Sequence, residues 1–371
     1  MRIGVNALYL IPGGVGGTEI YLRSLLGALA KIDTSNEYLV FTNIETGVDL
    51  IPTQANFAVV DQRVRARLRP ARILWEQMVL PVSAARRRVE VLFNPGFTSP
   101  ILASCPTVTV FHDLQHKRYP EHFRWFDLPF WRLLLYGSVR RSSLLIADSE
   151  STRADLLRFY RVDDSKVRLA PLGVDPEFFE IGRRRHRDRQ GAPYLLCVST
   201  LHPHKNLDRL LRAFADFHAV RPHFRLVIAG LRGFYARDLE QLRNSLHLKD
   251  AVSFTGWIPR QQLYKLFADA TAFLYPSTFE GFGMPLLEAL AAGLPTACSN
   301  IEPLARNAVD AALKFDPNNT SAIYDAMLRI TEDAPLIDRL RQEGPIRAAE
   351  FSWEATARAT LEALAAAAER R

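Results

Sequence analysis

A chain of 371 residues, 48% apolar and 23% charged, has the composition of a soluble globular protein and the length of two ordinary domains. No run of about eighteen uncharged apolar residues occurs, which argues against a membrane-spanning helix. The opening "MRIGVNALYLIPGG" has one basic residue and a short apolar run broken by Pro12, so it reads as a buried strand and a loop, not a signal peptide.

In chain order, "RIGVNAL", "EYLVFT", "VLFN", "TVTVFHD" and "SLLIADS" predict the strands of a first half. "PYLLCVST", "RLVIAG", "AVSFTG", "TAFLYPS" and "PTACS" predict those of a second. Helical patterns such as "IYLRSLLGALAKI", "NLDRLLRAFADFHAV" and "RQQLYKLFADA" lie between them. Near-continuous apolar strands alternating with helices predict α/β architecture, with parallel sheets covered on both faces. Two such series predict two doubly wound, Rossmann-like domains. The break is expected within Phe178–Pro193, which is charged and lacks apolar periodicity. The expected division is residues 1–180, 190–352 and a helical end at 353–371. That last segment, "WEATARATLEALAAAAERR", has high helix propensity and reads either as a frayed surface helix or as one packing back across the first domain.

The three cysteines, Cys105, Cys197 and Cys298, are widely spaced and form no zinc or Cys-x-x-Cys pattern. A reducing cytoplasm is the expected compartment. The net charge of +7 is clustered in "RVRARLRPAR", "RRR" at 86–88 and "RRRHRDR" at 183–189. Such runs read as solvated faces or as contacts to an anionic partner, a membrane surface or a phosphorylated ligand. Nucleic acid is disfavoured, because no aromatic residues interleave the runs to stack bases.

The densest chemical signal is "FEGFGMPLLEALAAGLP", residues 279–295. It follows the apolar strand "TAFLYPS", and Met284 or Pro285 opens a helix, since proline is favoured in a first turn. The backbone N–H groups of Phe282, Gly283, Met284, Pro285's neighbour Leu286 and the residues between are expected to form an anion site strengthened by the helix dipole. Glu280 beside such a site makes sense if it faces neutral hydroxyls or developing positive charge. Glu288, one turn into the helix, can accept two hydrogen bonds from a vicinal diol. A diphosphate flanked by two polyols is a nucleotide sugar.

Gly13, Gly14, Gly16 and Gly17 lie between the first strand and a helix, where missing side chains permit close phosphate approach. "GVGGTE" fails as a dinucleotide fingerprint, because Glu19 stands where the third glycine belongs. That argues against a dehydrogenase. Lys205 in "TLHPHKN" follows a strand end, where an ammonium can neutralise leaving-group charge. His112 and Asp113 end the strand "TVTVF", a typical functional position, though a core histidine is the plain alternative. His116, His202 and His204 read as polar loop residues.

The spacing of Glu280 and Glu288 in "FEGFGMPLLEALAAGLP" resembles the E-x7-E signature of retaining glycosyltransferase family four, of the GT-B fold. "GGVGGTEIYLRSLLGAL", "VFHDL", "ADSESTRADL", "VSTLHPHKNLDRLLRAF" and "FTGWIP" resemble further segments of that family in order. The resemblance implies that Lys205 binds the donor diphosphate, approached by the main chain of Gly16 and Gly17. It implies that Glu288 holds the ribose hydroxyls, that Glu280 with the amides of Phe282, Gly283 and Met284 holds the transferred sugar, and that His112 sits over that sugar. Thr200 stands where many members have arginine, and Arg306 where they often have an acid, with Glu302 as a substitute.

No Asp-x-Asp pair occurs, so the leaving charge is expected to be met by cations and helix amides, without metal or cofactor. The resemblance implies a retaining hexosyl transfer by a front-face route. Its wording is closest to bacterial enzymes acting on GDP-mannose in surface-polysaccharide synthesis, with a UDP-sugar as the alternative donor. A GT-B phosphorylase or epimerase and a nonenzymatic basic scaffold are weaker alternatives. The expected acceptor is a saccharide or a polyprenyl-diphosphate-linked glycan, with the chain cytoplasmic and peripheral at the inner membrane face. Closure about "GRRRHRDRQG" is expected on donor binding.

Overall fold

The computed structural model describes residues 1–14, 16–46, 50–123, 125, 128–185 and 192–370. They form two compact units, Met1–Gly173 with Ser352–Arg371, and Val174–Phe351.

In the first unit, β1 (Arg2–Asn6), α1 (Gly17–Ile32), β2 (Glu37–Thr42), β3 (Phe57–Asp61), α2 (Arg69–Arg86) and β4 (Val91–Asn94) follow one another. Then come β5 (Thr107–Phe111), α3 (Gln115–Arg118), α4 (Leu128–Arg141), β6 (Leu144–Ala147), α5 (Glu150–Tyr160) and β7 (Val167–Leu169). The strands pair in the order β3-β2-β1-β4-β5-β6-β7, every pair parallel. Parallel neighbours need crossover connections, so helices cover both faces and the central strands β4, β5 and β6 are buried throughout. Leu39, Phe41, Leu80 and Leu92 belong to one buried cluster, and Phe111, Leu135, Leu145 and Leu156 to another.

The second unit runs through α6 (Pro176–Arg184), β8 (Tyr194–Val198), α7 (Leu207–Val220), β9 (Arg225–Ala229), α8 (Ala236–Ser245), β10 (Val252–Gly256) and α9 (Arg260–Asp269). It continues with β11 (Ala272–Tyr275), α10 (Met284–Ala291), β12 (Thr296–Ser299), α11 (Leu304–Ala308), β13 (Leu313–Phe315), α12 (Thr320–Glu332) and α13 (Ala334–Ala348). Its six-stranded order, β10-β9-β8-β11-β12-β13, is again wholly parallel. Each sheet therefore reverses strand order beside its first strand, between β1 and β4 and between β8 and β11. Doubly wound sheets bind ligands beyond the strand ends at such a reversal.

The last helix, α14 (Trp353–Ala368), groups with the first unit. Ser352 caps it by accepting the Ala355 N–H, and Thr356 Oγ1 donates to the Pro171 carbonyl at 2.6 Å. Gly173 leaves room for this entry, since a Cβ there would lie 2.1 Å from Trp353 N.

The expected charged break at 178–193 is corrected in part. Residues up to Arg184 form α6, whose Phe178 and Ile181 are buried. Phe178 meets Phe267 edge-on at 4.9 Å, and Arg185 donates to the carbonyls of Ala292 and Ala270 at 2.9 and 3.0 Å. These contacts put α6 in the second unit and the boundary at Gly173/Val174. Residues 186–191, the rest of the expected hinge and of its basic run, lie outside the described residues.

Candidate functional site

At the reversal of the second sheet, the loops after β8 and β11 are bonded to each other. Thr278 donates its N–H and its hydroxyl to the His204 carbonyl, at 2.8 and 3.1 Å. Asn206, in a left-handed conformation at φ 56, donates its amide to the carbonyls of Pro276 and Pro317. This frame sets Lys205 Nζ 2.7 Å from Glu280 Oε1. The Lys205 ammonium also lies 5.8 Å from the centre of the Tyr275 ring. Burial, reinforced by the Glu280 carboxylate, raises the Tyr275 phenol well above its ordinary value, so it stays protonated beside the pair. Ser277, at the same strand end, has a buried hydroxyl without a hydrogen-bond partner, a group that sequence reading did not single out.

The chain then turns through Gly283 at φ 91 into α10, with Pro285 in its first turn and no side-chain cap. A Cβ at Gly283 would meet Leu304 Cδ2 at 2.4 Å, so both conformation and space require glycine. The expected amide cradle is smaller than residues 282–286. Leu286 N–H is already bonded to the Gly283 carbonyl at 3.1 Å, as in any first turn that closes early. Phe282 is buried, its carbonyl accepts from Asn307 at 2.7 Å, and its ring meets Phe351. Its side chain is therefore committed to packing, and its carbonyl to Asn307.

Glu288 is buried on α10, and its Oε1 lies 3.0 Å from Arg260 Nη2. Burial pushes its carboxyl up, and Arg260 opposes the shift. Arg260 opens α9, lies over the rings of Phe178 and Tyr264, and reaches Asp175 at 3.2 Å; Tyr264 also donates to Asp175. Glu288 is thus an oriented carboxylate with a fixed cation, not a surface residue. Sequence reading missed Arg260. Its one signal was a lone arginine after "FTGWIP", following a strand end.

In the first unit, Gly16 (φ 61, ψ −127) precedes α1, beyond the end of β1. Glu19, which broke the dinucleotide pattern, accepts the Gly13 N–H at 2.8 Å and pairs with Arg23 at 2.9 Å. Its carboxylate therefore braces the glycine loop from within. Gly16's carbonyl accepts the Glu19 N–H, while Gly17 opens the helix.

His112, at the end of β5, has both ring nitrogens engaged. Nε2 donates to the Pro95 carbonyl at 3.0 Å, and Nδ1 lies 3.4 Å from Asp148 Oδ2. Tyr21 and Phe97 pack edge-on against the ring. Burial raises the Asp148 carboxyl and His112 counteracts it. Asp113 receives the Gln115 N–H at 2.9 Å, turning the chain into α3. His116, expected in a polar loop, is instead buried and bonded to Tyr160 at 2.8 Å.

The structure therefore brings Lys205 and Glu280 into contact and joins Glu288 to an unforeseen arginine. Thr200 is half-buried after β8, with its carbonyl bonded to the His202 N–H at 2.9 Å. Glu302 and Arg306 form an exposed pair at 3.4 Å. Among the described residues, no helix is long and apolar enough to cross a membrane.

Residues 15–178 match the family model for Glycosyltransferase Family 4, and residues 178–347 match that for Glycosyl transferases group 1. The chain is 28% identical over 265 residues to the O-antigen chain mannosyltransferase B of Escherichia coli, covering 69% of each protein. Against the mannosyltransferases it matches, the aligned stretch spans between 69% and 32% of the relative's length. It is 30% identical to D-inositol 3-phosphate glycosyltransferase 2 of Catenulispora acidiphila, over 94% of this chain and 90% of that one. Among solved structures, sucrose-phosphate synthase from Thermosynechococcus elongatus superposes with a TM-score of 0.80 at 21% identity, covering 98% of both chains; it speaks to the fold. Two wholly parallel Rossmann-like units, both family models in sequence and a relative matched over nearly its full length lead to one assignment: the chain belongs to the GT-B glycosyltransferases of the family 4 type.

Proposed function

We propose that this glycosyltransferase moves mannose from GDP-mannose to a saccharide or polyprenyl-diphosphate-linked acceptor, with retention and without a metal or cofactor. The observation that carries the reading is the Lys205–Glu280 pair at the strand reversal, followed by the uncapped start of α10. A cation, a carboxylate and helix amides at one strand edge fit a sugar diphosphate, with positive groups toward phosphate and acceptors toward hydroxyls. Glu288, held by Arg260, offers an oriented acceptor to the ribose diol. Mannose is favoured by the O-antigen mannosyltransferases among the relatives.

In the proposed reaction, the bond from the anomeric carbon to the diphosphate breaks as the bond to the acceptor oxygen forms on the same face. The acceptor proton passes to the departing phosphate oxygen, and GDP leaves. Lys205 and the α10 amides meet the charge that develops on the diphosphate. A protein base is a poor alternative at His112, since both its ring nitrogens are already committed. Glu280 positions sugar hydroxyls and balances Lys205; a glycosyl adduct trapped on it would overturn this assignment. The acceptor is proposed to be presented at the inner, anionic face of a membrane, in keeping with the basic first unit.

The test is donor turnover in EDTA, with GDP-mannose, UDP-glucose and UDP-galactose compared and the product anomer read by proton NMR. The α-mannoside from GDP-mannose is expected. Turnover of a UDP-sugar alone, an inverted product or strict magnesium dependence would contradict the proposal.

A further inference from the structure

Helix α2 is apolar on two opposite faces. Ile73, Leu80 and Ala84 are buried in the first unit. Leu74, Met78 and Val82, spaced four apart, form a second stripe that is exposed, Leu74 by 65%. Helix α4 repeats the pattern. Leu134, Leu135 and Val139 face inward, while Phe130, Leu133 and Tyr136 are exposed, Leu133 by 68%. A helix of a soluble domain normally turns polar residues outward on the face opposite the core; an exposed apolar stripe there marks an interaction surface. Between α2 and α4 lies an open groove of about 610 Å³, lined by Ile73, Leu74, Ile101, Phe130 and Leu133 among others.

Among the described residues of α2 and α4, the exposed charge has one sign. From Arg63 to Arg88 the sole acid is Glu76, and it is buried against Arg72 at 3.7 Å. Arg65, Arg67 and Arg69 are exposed at the start of α2, and Arg86, Arg87 and Arg88 at its end. α4 contains no acid and ends in exposed Arg140 and Arg141. Arg69 stacks over Trp131 of α4 at 4.7 Å, joining the two helices at the groove. An apolar stripe bordered by arginines matches the interface of an anionic bilayer, where side chains enter the acyl boundary and cations meet headgroups. It does not match nucleic acid, which would leave the stripe in water.

We infer that the exposed α2–α4 face docks the protein onto an anionic membrane surface. Leu74, Met78, Val82, Phe130 and Leu133 enter the interface, and the arginines at both ends of α2 bind headgroups. The inference locates the membrane contact and so rests on the reading of a membrane-presented acceptor.

The test is vesicle flotation of the full chain without donor or acceptor, using phosphatidylcholine vesicles with and without phosphatidylglycerol. The protein is expected to float with the anionic vesicles and to be released by raised salt. Leu74→Gln with Leu133→Gln, and separately Arg65→Gln with Arg67→Gln, should each weaken partitioning about tenfold or more. Both sites are exposed, and unchanged thermal unfolding and GDP titration verify intact protein. No flotation, equal flotation of variants and wild type, or salt-insensitive binding would overturn the inference. So would a wild-type dimer in sedimentation that Leu74→Gln with Leu133→Gln disperses, since the face would then join two copies. Transfer to a soluble saccharide alone, with flotation intact, would contradict the membrane-presented acceptor and leave the docking face standing.

Discussion

Lys205 Nζ donates to Glu280 Oε1 at 2.7 Å, joining the ends of two neighbouring strands across 75 positions of sequence. The ammonium proposed for the donor diphosphate is therefore held, before any donor arrives, by the carboxylate proposed for the sugar. A diphosphate must draw Lys205 toward itself or share it. Charge-assisted hydrogen bonds contribute about 1.5–3 kcal/mol, so we expect Lys205→Met to weaken GDP binding roughly ten- to hundredfold. Calorimetric titration checks this, and an unchanged affinity would remove Lys205 from the donor site.

The same pair separates the two roles of Glu280. In Glu280→Gln the competing charge is lost and Lys205 is freer to meet phosphate. GDP should bind at least as tightly as to wild type, while kcat for GDP-mannose falls about a hundredfold, on the scale of losing one group that acts in the transition state. Parallel titration and steady-state kinetics measure both. Equal losses in GDP affinity and in kcat would show a general collapse of the site.

Arg260→Met tests the support of Glu288. It leaves a buried carboxylate without its cation; with the arginine partly exposed, a loss of about 1–3 kcal/mol is expected. Burial already raises the Glu288 carboxyl, and the variant raises it further. A raised folded-state carboxyl holds its proton while the unfolded chain has released it, so stability falls as pH rises through the folded-state value. The stability gap between variant and wild type should therefore be small at pH 5 and larger at pH 8. Denaturant melts at the two values decide it, and a gap that shrinks with pH would contradict the burial argument.

Two glycine-to-alanine changes should act in opposite directions. Gly283→Ala meets both φ 91 and Leu304 Cδ2 at 2.4 Å, and is expected to cost at least about 2 kcal/mol and to disturb the start of α10. Gly27 lies within α1 with nothing within 4 Å of its added Cβ, so Gly27→Ala should stabilise by about 0.5–1 kcal/mol. Thermal melts of both variants give the comparison.

Ten of the strands were legible from short β-branched or apolar stretches, most of them buried on both sides, as in β5, where all five residues are buried; β10, an edge strand with only Val252 buried, was legible too. The three that were not, β3, β7 and β13, are edge strands. β7 and β13 have three residues each, too few to show a period, and β3 exposes Ala58, Val59 and Asp61. The α6 helix was hidden by the arginines at its end, although Asp175 caps its start through the Glu177 N–H. At the site, the turn into α10 could be read from Gly283 and Pro285, since backbone chemistry dictates those residue types locally. The partners could not. That Glu288 meets Arg260, and that His112 is bound at both nitrogens, depends on tertiary placement of residues 28 and 17 or more positions away.

Whether Lys205 anchors a donor site that needs no metal is decided by titrating GDP, UDP and ADP in EDTA and then in magnesium. GDP is expected to bind in EDTA, more tightly than UDP or ADP, with magnesium changing the affinity little. Binding of GDP that appears only with magnesium, or of none of the three nucleotides, would contradict a metal-free donor site.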